Sequence, residues 1–338
     1  MNKHLQQVVV RVSQCRNYRL ICGVVLTLMI QVGNTHAESP PVSPLPKLKA
    51  PTTAPTTRPA LAAGIKAVRN LSYGPAGERN LLDVYLPENA QGKYPLIVWI
   101  HGGGWQAGSK EGCPAVPIVQ NGYVVASINY RFSQTDIFPA QMHDCKGAIR
   151  WLRAHAAEYH IDTDHVGVGG ASAGGHLAAL IGTSGDVKEA EGNIGGNIDQ
   201  SSKVHAVIDW YGPTDMSVFF KHAEGVENIF KANPEQSPIT KLFGGPAEKQ
   251  VELVRAANPI SYISKDRKLP VFLIIHGDKD KLVPLAQSEI LVDALKKSGT
   301  DVRLEVVKNA GHGDGFDYTK LRKMQADFAD ETLKNIKK

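Results

Sequence analysis

The chain is most constrained by an alternation that runs from about residue 66 to its end. Short apolar runs at Leu81–Leu86, Pro95–Ile100, Tyr123–Ile128, His165–Gly169, Val204–Trp210, Pro270–Ile275 and Asp301–Val307 are separated by segments of helical period. Ala148, Ile149, Leu152 and Ala156 make one apolar stripe, and Ile290, Leu291, Ala294 and Leu295 make another. Runs this short and this apolar suit strands buried on both faces, while the stripes suit helices laid against them. The pattern predicts an α/β fold, with a mainly parallel central sheet and helices on both faces. In such sheets ligands bind at the carboxyl ends of the strands. The residues just after each apolar run are therefore the ones to search.

Two stretches break the rhythm. Gly185–Gln200 is rich in Gly and Asn. Met216–Asn258 is too long for a plain connection and is expected to form a small helical cap or lid.

The N-terminal region has a different character. Lys3, Arg11, Arg16 and Arg19 precede the apolar run Leu20–Ile30, and Thr35-His-Ala37 offers a small residue at a cleavage point. Residues 1–37 are expected to be a secretory signal peptide, with an uncleaved anchor as the alternative. Residues 38–65 are Pro/Thr-rich and cannot build a core, which suits an extended linker. The catalytic domain is then expected over 66–338. The protein would be exported, to the periplasm or beyond, with no stable membrane insertion once the signal is removed.

The overall charge of +5 comes from this leader. Residues 61–338 hold 31 basic and 32 acidic residues, so no basic face for nucleic acid is implied. Two cysteines, Cys113 and Cys145, lie beyond the leader. In an exported protein such a pair predicts a disulfide, worth about 3–4 kcal/mol for a loop of roughly 30 residues. Two buried free thiols are the alternative.

The sharpest motif is Gly170-Ala-Ser-Ala-Gly174, which follows one apolar run and precedes the helix-like Gly175–Ile181. This is the strand–turn–helix context in which a G-x-S-x-G serine becomes a nucleophile. Small neighbours are needed because a Cβ at either glycine would collide with nearby backbone. The second motif is His101-Gly-Gly-Gly-Trp105, also at a strand end. Its glycines let backbone N–H groups approach a ligand, so Gly103 and Gly104, with Ala173, are expected to cradle an oxyanion. A phosphate loop is excluded, because Ser109 precedes Lys110 and the Walker order is the reverse.

A serine nucleophile needs a base, and the base needs an orienting acid. His312 sits in the small-residue loop Asn309–Asp314, beyond the last apolar run, and is the expected base. The acid should lie between serine and histidine in the chain. Asp278 and Asp280 follow the run ending at Ile275, and Asp215 follows the one before it. Position alone leaves the three open.

Taken together, His101–Trp105, Gly170–Gly175, His276-Gly-x-x-Asp-x-x-Val-Pro284 and Gly311-His312 resemble the α/β-hydrolase superfamily over roughly residues 68–336. More narrowly, they resemble esterases of the HGGG group, which includes hormone-sensitive-lipase-like enzymes. The Ser-Ala-Gly-Gly-His-Leu-Ala run is similar to that of feruloyl and acetyl-xylan esterases. The resemblance implies an α/β-hydrolase fold with a small cap, a Ser172–His312–Asp280 triad, and no metal or cofactor. It makes Asp280 the preferred acid. It also implies hydrolysis of a small-molecule or polysaccharide ester, with short-chain, acetyl or feruloyl groups favoured. Lipid esters, formamidase or peptidase chemistry on the same fold, and a non-catalytic binding protein are the other readings.

Overall fold

The computed structural model describes residues 60–222 and 234–334. The signal peptide and most of the linker expected from the sequence, together with part of the cap segment, lie outside the described residues. Eight strands form one sheet: β1 (Ile65–Ser72), β2 (Leu81–Pro87), β3 (Tyr94–Ile100), β4 (Val124–Ile128), β5 (Ile161–Ala171), β6 (Ala206–Trp210), β7 (Val271–Gly277) and β8 (Val302–Val307). Their spatial order is β1-β2-β4-β3-β5-β6-β7-β8. The β1–β2 and β2–β4 pairings are antiparallel, and every pairing from β4 through β8 is parallel. Each apolar run in the sequence is a strand. β1 is the addition. Only its Ile65 is fully buried, so as a half-exposed edge strand it carries no apolar run to find.

The α-helices among the described residues are α1 (Ala140–Ala154), α2 (Ala173–Ser184), α3 (Phe219–His222), α4 (Pro238–Leu242), α5 (Val251–Ala257), α6 (Ala286–Ser298) and α7 (Tyr318–Ala329). The apolar stripes fall on α1 and α6. Ala156 alone lies beyond its helix, which ends at Ala154. Alternate strand residues feed two cores. Val84, Val98, Ala126 and Val168 pack with Ile149 of α1, Leu177 of α2 and Leu291 of α6 on one face. Tyr85, Trp99, Val125 and Ile208 pack with Leu321 and Phe328 of α7 on the other. The period-two alternation of a strand sets this division.

The two cores correct the expected disulfide. Cys145 belongs to the core beneath α1, whereas Cys113 packs against the core on the opposite face. The sheet stands between them, and both are free thiols. Burial pushes the Cys113 thiol up to about 12 and raises Cys145 well above the ordinary thiol value, so neither favours the reactive thiolate.

The cap segment forms the short helices α3, α4 and α5 within its described parts. Among the described residues no helix is long and apolar enough to cross a membrane.

Candidate active site

Ser172 stands between β5 and α2 with φ 56° and ψ −119°, a conformation that L-residues seldom adopt. The turn is possible because its flanks are glycine. A Cβ on Gly170 would run into Gly174 backbone, and one on Gly174 into the carbonyl of Ile100. The Ser172 N–H donates to the Trp210 carbonyl at 2.8 Å, which ties the turn to the end of β6. Ala173, the first residue of α2, has an N–H without an intrahelical acceptor, and the helix dipole favours negative charge there.

The side chains converge from three strand ends. Ser172 Oγ–H donates to His312 Nε2 at 2.9 Å, and His312 Nδ1–H donates to Asp280 Oδ2 at 2.7 Å. Asp280 Oδ1 accepts the backbone N–H of Leu282 and Val283, both at 2.8 Å. Burial alone would raise this carboxyl. Hydrogen bonds from His276 and His312, the His312 charge and the Val283 N–H instead hold it far below the usual carboxylate range.

The other two acids have different partners. Asp278 accepts from the Asn309 N–H at 2.7 Å and pairs with Lys308 at 3.4 Å, so it braces the loop that carries His312. Asp215 accepts from Ser217 N–H at 3.0 Å and from Asn258 at 2.9 Å, within the cap connection.

The glycine loop after β3 turns back on itself. Gly103 and Gly104 have φ 108° and 59°, and the Gly103 carbonyl accepts from the N–H of Gln106 and of Ala107, both at 3.0 Å. A side chain on Gly103 would strike the Ala107 carbonyl. Gly103, Gly104 and Ala173 line the same cavity as Ser172 and His312.

A match to the BD-FAE family model covers residues 82–295, a span that takes in the glycine loop, the serine turn and Asp280. The chain belongs to the BD-FAE family. Its fold is that of the α/β-hydrolase esterases. Esterase LipQ of Mycobacterium tuberculosis is 32% identical over 78% of this chain and 61% of its own length. The probable carboxylic ester hydrolase LipM of the same organism is 30% identical over 68% of this chain and 51% of its own length. The chain thus spans between half and two thirds of these curated relatives. A truncated carbohydrate esterase from gut microbiota superimposes with a TM-score of 0.74 at 32% identity, covering 82% of this chain and all of that one. Butyrate-bound Est2, an esterase of Thermogutta terrifontis, gives 0.61 at 26% identity over 80% of this chain and 94% of that one.

In this BD-FAE member the glycine loop is held by contacts that the motifs do not reveal. Trp105 Nε1–H donates to His176 Nδ1 at 3.2 Å, and His176 Nε2–H donates to the Ala257 carbonyl of α5 at 2.7 Å. His176 is fully buried, and burial lowers it to about 4, so it works as a neutral imidazole. At the far end of the loop Lys110, nearly inaccessible, pairs with Asp83 at 2.7 Å and donates to Asn70 at 2.8 Å. The lysine that fails as a phosphate ligand is an anchor. Behind Asp280, His276 Nε2–H donates to the Val283 carbonyl at 2.8 Å and lies 3.4 Å from Asp280 Oδ2. Its Nδ1 accepts from Ser288 Oγ at 2.7 Å.

The cavity holds about 420 Å³ and has a largely apolar wall of Trp105, Phe219, Ile239, Leu282 and Val283. Phe219 and Ile239 come from the cap segment, whose described parts thus contribute to the cavity wall. Trp105 belongs to both environments, since it is core-buried and also lines the cavity.

Proposed function

We propose that the chain is a serine carboxylic-ester hydrolase acting on short-chain or carbohydrate-linked acyl esters, acetyl or feruloyl. The observation that carries this is the unbroken line Ser172–His312–Asp280, with bonds of 2.9 and 2.7 Å, beside a glycine loop at one cavity.

Ser172 Oγ attacks the ester carbonyl while its proton passes to His312 Nε2. The carbonyl oxygen gathers the negative charge, and the N–H groups of Gly103, Gly104 and Ala173 stabilise it, each donor contributing about 3–4 kcal/mol. Collapse breaks the bond to the alcohol, which leaves with the proton from His312. Water then enters, loses a proton to His312 and attacks the acyl-enzyme, and collapse frees the acid as His312 returns the proton to Ser172 Oγ. Asp280 holds the Nδ1–H tautomer throughout and stabilises the imidazolium. No step calls for a metal or cofactor.

The apolar cavity supports a small acyl group or a flat aromatic one. The likeness to a carbohydrate esterase supports a sugar as the alcohol. A leader over residues 1–37 and a linker over 38–65 would place the domain of 66–338 outside the cytoplasm, where polysaccharide esters are met. Its partner is then the substrate and not nucleic acid.

The test is hydrolysis of p-nitrophenyl esters from acetate to palmitate. Rates highest for acetate to butyrate support the proposal. Rates that rise toward palmitate would replace it with a lipase, and no hydrolysis at all would favour an amide substrate or a binding protein.

A further inference from the structure

The alcohol half of the ester lies beside His312, because His312 Nε2 protonates the departing oxygen. The protein on that side is aromatic. Tyr211 packs against the imidazole with centroids 4.6 Å apart, and Phe316 lies 5.5 Å from Tyr211. Tyr318 completes the row, 6.2 Å from Phe316 and 5.9 Å from Trp210. Tyr211, Phe316 and Trp210 are all buried, whereas Tyr318 is 39% exposed.

Tyr318 is also held in place. Its hydroxyl donates to the Gly313 carbonyl at 2.6 Å, one residue beyond His312. It opens α7, whose first turn is capped by the Asp317 carboxylate accepting from Thr319 and Lys320 N–H. The Tyr211 and Tyr318 hydroxyls both approach Gly313, so the exposed ring and the ring against His312 meet at one residue of the His312 loop. Part of the ring is thereby left in water next to Tyr211, which lines the cavity, and it is held beside the His312 loop by a bond already made within the protein.

We propose that Tyr318 is the platform for the sugar ring of a carbohydrate ester, the alcohol-side subsite of this enzyme. The inference rests on the esterase reading above. A pyranose presents several C–H bonds on one face, and these match the electron-rich face of a phenol ring. A ring already ordered adds little entropy cost on binding. A methyl alcohol has no sugar ring to lay on it.

The experiment compares two substrates that share one acyl group, methyl acetate and an acetylated xylo-oligosaccharide, in wild type, Tyr318→Ala and Tyr318→Phe. The readout is the ratio of kcat/KM for the oligosaccharide to that for methyl acetate. Stacking of this kind predicts a ratio lowered about five- to tenfold in Tyr318→Ala, carried by KM. Tyr318→Phe keeps the ring and should keep most of the ratio. A ratio unchanged in Tyr318→Ala, including equal losses on both substrates, would overturn the platform and leave Tyr318 as a brace for the His312 loop. Wild type that cleaves methyl acetate but not the oligosaccharide would overturn the platform alone. Wild type that cleaves neither would overturn the esterase reading with it.

Discussion

Trp105 and His176 join the glycine loop to the helix that begins just after Ser172, through an indole N–H donated to a buried imidazole at 3.2 Å. The glycine loop and the Ser172 turn are therefore linked by an internal bond. A neutral hydrogen bond of this kind contributes about 0.5–1.5 kcal/mol, and leaving His176 Nδ1 unpaired costs about 1–3. Trp105→Phe should lower kcat about five- to tenfold, with little change in KM, because the loop donors shift. Steady-state kinetics on p-nitrophenyl acetate checks this. A mutant with unchanged kcat would mean the loop holds its shape without the indole.

The acid can be assigned by contrast. Asp280→Asn leaves the geometry near His312 but favours the wrong tautomer, and kcat should fall about 10⁴-fold. Asp278→Asn, which removes only the brace on the Asn309 N–H, should cost less than about tenfold. Comparable losses in the two would contradict the placement of His312.

Asp209 gives a pH signature. It is fully buried at the end of β6, its Oδ1 accepts from Gly212 N–H at 2.9 Å, and its Oδ2 has no hydrogen-bond partner among the described residues. Burial raises it to about 6, against the partial relief of the Gly212 N–H and His276. A raised carboxyl favours the protonated fold. Its contribution is complete below about pH 4, where the unfolded chain is also protonated, and is lost as pH rises through about 6. Asp209→Asn should therefore raise stability at pH 8 by up to about 2–3 kcal/mol and change it little at pH 4. Thermal melts at the two values decide. A mutant less stable at pH 8 would mean the ionised carboxylate is satisfied in the fold.

Free Cys113 and Cys145 make a simple prediction. The melting temperature should be the same with and without reductant, and both thiols should react with a thiol reagent once the chain is unfolded. A fall of several degrees in reductant would restore the bridge.

Much of the site can be read from the sequence, because its parts are local. Gly170–Gly174, His101–Trp105 and the Asp280 and His312 loops each follow a strand whose apolar run is plain, and order along the chain does the rest. What escapes is whatever needs the third dimension. The contacts of His176 escape because its partners Trp105 and Ala257 lie 71 and 81 residues away. Tyr211 escapes because it packs against His312 from a distant part of the chain. The cysteines mislead because a count of two carries no information about opposite faces of a sheet. β1 escapes because an edge strand half in water has no apolar run.

The central claim is that Ser172 carries the acyl group. The direct measurement is reaction with a fluorophosphonate, followed by peptide mapping and by loss of p-nitrophenyl acetate hydrolysis. The account predicts one adduct per chain, on Ser172, forming in step with the loss of activity, and neither adduct nor hydrolysis in Ser172→Ala. An adduct on another residue, or hydrolysis that persists in Ser172→Ala, would contradict it.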